Sequence, residues 1–165
     1  KAAPEPMNLA EVIRDATVLQ RVSTSEIDID VDVSKADFVF MFDRRLITQA
    51  VTNLVKNASE AIDGRALTEN IEKGHVQVEA GIEHDVPYIR VTDNGVGLPK
   101  ENRNRLAEPY MTTREKGTGL GLAIVKRIME EHGGRLRLQD APSGKGAQVT
   151  LEFSRLPEPL LISAE

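Results

Sequence analysis

Residues 43–63 read DRRLITQAVTNLVKNASEAID, and the expected architecture is built around them. Its apolar residues recur at the three- and four-residue spacing of a helix, which predicts one long helix with a wide apolar stripe. Asp43 is suited to begin this helix and Gly64 to end it. The stripe consists of Leu46, Ile47, Ala50, Val51, Leu54, Val55, Ala58 and Ile62.

A polar stripe follows the same helix. Gln49, Asn53, Asn57 and Glu60 share one face, with Lys56 beside them. Asparagine costs about half a kcal/mol against alanine inside a helix, so two on one face need a reason. Taken by itself, the stripe is most simply a solvated helix face. The alternative is that an amide oxygen binds Mg²⁺ that already carries phosphate oxygens and water.

The remaining patterns place strands and helices around this helix. They predict helices at 8–21 and 120–131, and strands at 26–33, 38–42, 75–82, 88–92, 135–139 and 148–153, with a turn around 85–87. Residues 99–116 are predicted to form a long loop. Paired strands between helices favour an α+β fold, with helices on one face of a mixed sheet. We expect the domain to span 8–156, between Pro-containing segments at 1–7 and 157–165.

Composition excludes several classes of function. The 165 residues include no cysteine, which rules out disulfides, thiolate metal sites and cysteine nucleophiles. The net charge of −5 argues against a nucleic-acid partner. No apolar run approaches the roughly 20 residues of a membrane helix, so we expect no membrane contact and a cytoplasmic location. The histidines at 75, 84 and 132 lack metal-site spacing and are interpreted as surface or turn residues.

The motif DNGVGLP at residues 93–99 directly follows a predicted strand. One interpretation is a simple turn, since Asn-Gly is a strong turn dipeptide. The other is a nucleobase site, because the carboxylate of Asp93 accepts hydrogen bonds and therefore suits the amine of adenine rather than the oxygen of guanine. Gly95 and Gly97 would let a flat base approach the backbone.

The motif GTGLGL at residues 117–122 runs into an amphipathic helix. Free amides at a helix start form a phosphate seat, although the glycines could also serve flexibility alone. Between the two glycine motifs lies a charged loop that contains Arg114 and Lys116. This loop is either an ordinary surface loop or a lid that brings cations to a terminal phosphate.

The order of these motifs resembles the GHKL, or Bergerat, ATP-binding fold of sensor histidine kinases. Residues 53–61, NLVKNASEA, are similar to the N box of that family, 93–98 to its G1 box and 117–122 to its G2 box. Residues 108–113, EPYMTT, resemble its F box and adjoining lid. The similarity spans about 8–156, and 108–134 looks most like nitrogen-regulation kinases of the NtrY and NtrB type.

This resemblance implies a two-layer α/β sandwich, with a mostly antiparallel sheet covered on one face by about three helices. By matched position, Asn57 is expected to ligate Mg²⁺, Asn53 to line the phosphates and Asp93 to read the adenine amine. Lys56 and Arg114 are expected phosphate partners and, with Asn57, the catalytic residues. The other expected nucleotide-binding residues are Ala61, Gly95, Val96, Gly97, Leu98, Thr112, Thr113, Gly117, Thr118, Gly119, Leu120, Gly121 and Leu122. Three departures from the family pattern, Ala107, Tyr110 and Ala147, affect residues expected to pack the lid or support the base.

The family also implies the reaction. Relatives of the gyrase, Hsp90 and MutL type carry a water-activating glutamate where this chain has Asn53, and an amide cannot act as a base. Transfer of the ATP γ-phosphate to a histidine is therefore expected. The acceptor motif is missing, so we expect an excised, monomeric catalytic domain that cannot phosphorylate itself. Its partners would be ATP or ADP, a histidine-bearing dimerisation domain, which 1–7 would join, and a response regulator. The alternatives are an anti-sigma type serine kinase and a nucleotide-responsive module without transfer activity. The parent protein could be anchored in the inner membrane.

Overall fold

Alternating apolar and polar residues build a five-stranded sheet in the computed structural model, which describes residues 1–23, 26–68, 70–100, 103–108 and 121–156. Its strands are β2 (Ile27–Asp32), β4 (Gly74–Glu83), β5 (Val86–Asp93), β6 (Arg135–Asp140) and β7 (Ala147–Glu152), and a separate ribbon pairs β1 (Glu5–Asn8) with β3 (Val39–Phe42). The helices are α1 (Leu9–Ser23), α2 (Arg44–Asp63), α3 (Gly121–Glu131) and a short 3₁₀ helix, Arg103–Ala107.

The sheet is mixed, with the strand order β2-β4-β5-β7-β6. Only the β2–β4 pair is parallel. In this register Val78 lies opposite Val91, and Ile89 lies opposite Leu151, so one face of the sheet is apolar. The opposite face carries charged residues in cross-strand pairs, such as Arg90 with Glu79 at 3.2 Å.

Three helices cover the apolar face, which confirms the predicted two-layer fold. Helix α2 lies on β4 and β5, between α1 and α3. Ile47, Val51 and Val55 of α2 are fully buried, and each buried side chain of this size contributes about 1.5–3 kcal/mol. The predicted caps of α2 are present. The Asp43 side chain accepts a hydrogen bond from the Leu46 amide, and Gly64 closes the helix with φ −80°, without the left-handed conformation that glycine often supplies.

The predicted linker, residues 1–7, instead contributes to the fold. Most of β1 lies in it, and Met7 pairs opposite Phe40 of β3. The ribbon is anchored by an aromatic cluster in which the rings of Phe40 and Phe153 meet edge to face, with centroids 5.0 Å apart. Proline is tolerated in such a ribbon because an edge strand can omit ladder hydrogen bonds. The proline content of residues 1–7 predicts a linker, but the segment pairs with β3, which is distant in the sequence.

Asp43 also ties the amino terminus to α2. Its carboxylate is 5% exposed and accepts hydrogen bonds from the amides of Ala3, at 2.8 Å, and Leu46, at 3.1 Å. Burial alone raises the pKa of Asp43, but these hydrogen bonds outweigh it, so the pKa lies below its ordinary value.

His132 lies in the turn after α3, as predicted, and is partly buried there. Its Nε2 accepts a hydrogen bond from the Asp43 amide at 3.0 Å, so Nδ1 carries the proton and donates to the carbonyl of Ile128 at 2.8 Å. The ring also meets Phe153 edge to face. His132 therefore joins the end of α3 to the start of α2.

Two other local predictions need correction. The β4–β5 turn is formed by His84 and Asp85, which both have positive φ, and Pro87 lies within β5 opposite Ile82. The loop predicted at 99–116 contains the 3₁₀ helix Arg103–Ala107. Within the described ranges, no helix is both long and apolar enough to cross a membrane.

Candidate functional site

The two asparagines predicted to serve the phosphates lie on consecutive turns of α2. Asn53 and Asn57 are partly buried, and the amide of Asn57 reaches the start of α3. A methyl group at Gly121, the first residue of α3, would lie 3.2 Å from Oδ1 of Asn57 and 3.3 Å from its Nδ2. The structure thus brings residues of two predicted motifs into contact across the helix pair.

Asp93, the predicted base-reading residue, is buried at the end of β5. It lies opposite Val76, on the apolar face of the sheet, and is 8% exposed. Its Oδ1 accepts hydrogen bonds from the amides of Gly95, at 2.8 Å, and Ala147, at 3.3 Å. Two such bonds to one oxygen fix the orientation of the carboxylate. A fixed orientation is needed in any group that distinguishes the hydrogen-bond donors of one nucleobase from the acceptors of another.

Gly95 packs closely against Ala61 of α2, a contact that the sequence did not indicate. A methyl group at this position would lie 2.6 Å from Cβ of Ala61 and 2.7 Å from the Ala61 carbonyl oxygen. The next amide, Val96, donates a hydrogen bond to that carbonyl at 3.0 Å. The loop after β5 is therefore attached to α2 one turn beyond Asn57, and this contact leaves no room for a side chain at residue 95.

Sequence analysis missed Gly146, in the β6–β7 turn. Its φ of +99° favours glycine, and a methyl group there would overlap the carbonyl oxygen of Asp93 and lie 2.7 Å from the carbonyl carbon. Gly97 has a φ of +83°, and a methyl group added to it would lie 3.5 Å from the carbonyl oxygen of Gly146. The sequence did contain a signal, since the Gly-Lys-Gly run directly precedes Ala147, a position already noted as a departure from the family.

Asn94 supports the turn interpretation of its motif. Its Oδ1 accepts from the His75 amide at 2.8 Å, and its Nδ2 donates to the Lys73 carbonyl at 3.0 Å. Arg65 reaches the Asn94 carbonyl at 3.4 Å. The turn interpretation of the DNG motif is therefore confirmed for Asn94, while Asp93 faces the interior and its role toward a base stays a prediction.

The other predicted residues are distributed unevenly. Lys56 is exposed on α2, the Val96 side chain is 53% exposed, and Leu122 packs against the core. Leu98 is partly buried. Seven predicted residues lie outside the described ranges: Thr112, Thr113, Arg114, Gly117, Thr118, Gly119 and Leu120.

The donor set suits a magnesium ion that brings its own ligands. Within the described ranges, no three His, Cys, Asp or Glu side chains group together to hold a metal. Mg²⁺ is commonly bound through one or two protein oxygens together with substrate phosphates and water. The single amide oxygen of Asn57, beside the start of α3, is compatible with an ion that is bound in this way. It is not sufficient for a site built from protein ligands alone.

Comparison with known proteins shows similarity over nearly the whole chain. Residues 42–157 match the family described as "Histidine kinase-, DNA gyrase B-, and HSP90-like ATPase". Over 152 residues, or 92% of this chain, the sequence is 49% identical to the nitrogen regulation protein NtrY of Azorhizobium caulinodans and covers 19% of that protein. The chain thus spans about a fifth of the length of this relative.

Two solved structures share the fold. One is the nucleotide-free catalytic domain of histidine kinase ThkA, with 29% identity, a TM-score of 0.77, and coverage of 94% of this chain and 99% of that one. The other is ThkA in complex with the response regulator protein TrrA, with 27% identity, a TM-score of 0.75, and coverage of 95% of this chain and 43% of that one.

Proposed function

Because the chain belongs to the family of histidine kinase-, DNA gyrase B- and HSP90-like ATPases, we propose that it is the ATP-binding catalytic domain of a sensor histidine kinase. In this role it binds Mg-ATP and presents the γ-phosphate to a histidine on a helical dimerisation domain of the same parent protein. Similarity to NtrY supports a parent that acts in nitrogen regulation, and the ThkA complex supports a response regulator as the downstream partner.

One observation carries the proposal. The amide of Asn57 lies against Gly121 at the start of α3, so a neutral oxygen ligand and a helix amino terminus face the same place. This combination suits a phosphate chain with its metal, whereas a solvated helix face would leave the asparagine in water. The solvated-face interpretation of the polar stripe is therefore the weaker one for Asn57.

The residues have distinct roles in this proposal. Asp93 accepts a hydrogen bond from the exocyclic amine of adenine, held in orientation by the amides of Gly95 and Ala147. Asn57 ligates Mg²⁺, and Lys56 and Arg114 provide positive charge near the transferred phosphate. When bound, Mg²⁺ neutralises charge on the phosphate oxygens.

The absence of a base at Asn53 favours histidine as the acceptor. An amide at this position cannot take a proton from water, so the domain holds ATP without rapid hydrolysis. A neutral imidazole nitrogen has its own lone pair and needs no such base. The chain's residues therefore act chiefly by positioning and charge, which is how most of the acceleration of phosphoryl transfer arises.

Calorimetric titration with ATP and GTP, each with and without Mg²⁺, tests nucleotide binding. We expect ATP to bind at least tenfold more tightly than GTP, because an unpaired polar group costs about 1–3 kcal/mol in a buried site. Asp93→Ala should reduce this preference. Equal affinity of the unaltered chain for both nucleotides would contradict the role of Asp93.

Phosphoryl transfer is tested by adding the histidine-bearing domain of an NtrY-type kinase in trans with labelled ATP. We expect acid-labile phosphate on histidine, and its loss in Asn57→Ala. Gln49→Ala removes an exposed amide from the same helix face and serves as the matched control with unchanged transfer. Label on serine, or none in any combination, would refute the kinase assignment.

A further inference from the structure

A cleft of about 600 Å³ opens between three segments of the chain: the residues after α2, the loop after β5 and the β6–β7 turn. We call it the outer cleft. Its volume falls within the range of small-molecule sites, about 300–1,000 Å³. Asn53, Asn57, Asp93 and Gly121, the described residues with the main proposed roles toward ATP, are not among those that line it. The loop after β5, with Gly95, Val96, Gly97 and Leu98, is shared by the outer cleft and the proposed nucleotide site. The basic residues of the cleft, in contrast, are not among those expected to bind the nucleotide.

Positive charge is concentrated in the outer cleft. Its basic lining residues are Arg65, Lys100, Arg103 and Lys145, and its acidic ones are Glu72 and Asp140. Among the described residues that line it, the cleft therefore has two more cationic than anionic side chains, in a protein whose net charge is −5. An excess of this sign in an acidic protein concentrates anions locally.

Only one of these cations is neutralised by a described residue. Arg103 donates to Asp140 at 2.8 Å and to the Pro99 carbonyl at 2.7 Å. Arg65 bonds to neutral acceptors, the carbonyls of Ile62 and Asn94. These bonds hold its guanidinium in place, and Arg65 forms no ion pair within the ranges that the structure describes.

The two lysines complete the cluster. Lys100 and Lys145 are exposed, and neither forms an ion pair with any residue in the described part of the chain. Ammonium and guanidinium groups together are the donors that bind phosphate in proteins. Three glycines with positive φ, Gly97, Gly144 and Gly146, also line the cleft, so a ligand meets backbone there rather than side chains.

We propose that the outer cleft binds a compact phosphate-bearing anion through Arg65, Lys100 and Lys145. The excess of two positive charges among the described lining residues matches a phosphate group, which carries about −1.5 to −2 at neutral pH. The proposal rests on the charge and shape of the cleft and not on the kinase function.

The test is a titration of the ¹⁵N-labelled chain with sodium pyrophosphate, without Mg²⁺ and at constant ionic strength. We expect saturable amide shifts at Gly97, Gly144 and Gly146. Lys100→Gln combined with Lys145→Gln should weaken binding about tenfold, since each exposed charge pair is worth up to about 1 kcal/mol. The control, Lys35→Gln with Lys126→Gln, makes the same charge change at exposed residues outside the cleft and should leave the affinity unchanged.

Several results would overturn the proposal. These are the absence of saturable shifts, shifts confined to the start of α3, or equal affinity in the Lys100/Lys145 variant. A parallel titration with citrate tests whether the cleft requires phosphate, because citrate carries a comparable negative charge on carboxylates. If citrate binds as tightly as pyrophosphate, the phosphate assignment is wrong. A chain that fails to bind ATP can still give the expected pyrophosphate result, so failures of the two proposals are distinguishable.

Discussion

Replacing Gly146 by alanine should destabilise the protein and weaken nucleotide binding together. Gly146 lies in the β6–β7 turn with φ +99°, where an L-residue is strained. The added methyl group would overlap the Asp93 carbonyl oxygen and lie 2.8 Å from Cα of Asn94. Both are backbone atoms, so they cannot move aside by a change of rotamer. Relief requires a shift of the turn away from the end of β5.

The cost has two parts. A left-handed conformation costs a non-glycine residue about 1–2 kcal/mol, and overpacking against fixed atoms typically adds about 1–3 kcal/mol. We therefore expect a loss of about 2–5 kcal/mol, which is a large part of a typical stability of about 5–15 kcal/mol. At about 2–4 °C per kcal/mol, the melting temperature should fall by about 4–20 °C. The shift also lengthens the bond from the Ala147 amide to Asp93, which orients the carboxylate.

Gly144→Ala supplies the matched control. Gly144 lies in the same turn with φ +84°, but a methyl group there meets nothing within 4 Å. Its cost is limited to the backbone conformation, about 1–2 kcal/mol, partly offset by the lower entropy of the unfolded chain. Urea denaturation and ATP calorimetry on both variants check the reasoning. Equal losses of stability, or unchanged ATP affinity in folded Gly146→Ala, would refute the role given to the contact with Asp93.

Three further predictions concern α2 and its ends. His132→Ala should cost about 1–3 kcal/mol in urea denaturation, because it leaves the Asp43 amide without its acceptor, whereas His84→Asn in the exposed turn should be neutral. Acid should destabilise the fold through Asp43, because the pKa of this carboxyl is lower in the folded than in the unfolded chain. The resulting stability is present above the unfolded pKa of about 3.9 and is lost as pH falls through the folded pKa. Asp43→Asn should therefore flatten the pH dependence of the unfolding free energy below pH 5. Asn53→Glu should raise ATP hydrolysis at least tenfold by supplying a base, as measured by phosphate release, while Asn53→Gln, which has the same length but no base, should leave it at the original rate.

Local patterns predicted most of the fold, because burial on one side of an element leaves a period in the sequence. The alternation at 26–33 and the apolar stripe of α2 both survive in the structure, with boundaries shifted by one or two residues. The end of β5 was also predictable, since the DNG motif follows a β-branched run. These features depend on neighbours within a few residues, which is the range that a sequence pattern reports.

Contacts between distant segments could not be predicted in this way. Met7 lies in a strand because Phe40 and its ribbon are available to pair with it, and nothing between residues 1 and 7 encodes that partner. His132 likewise has a structural role only because α3 ends beside the start of α2. Gly95 packs closely against Ala61 of α2, a contact that its own motif does not encode. In each of these three cases the missing information is the partner of the residue, which lies far away in the sequence.

Helix α2 relates the two ends of the candidate site. Asn57 contacts the start of α3, and Ala61, one turn later, accepts a hydrogen bond from the loop that follows Asp93. At 1.5 Å per residue, these attachments lie about 6 Å apart along the helix axis. Since α2 is buried against β4 and β5, neither attachment can move independently of the core. The spacing between the end that would hold the phosphates and the end that would read the base is therefore set by one rigid helix, and this explains why two motifs far apart in sequence can serve one ligand.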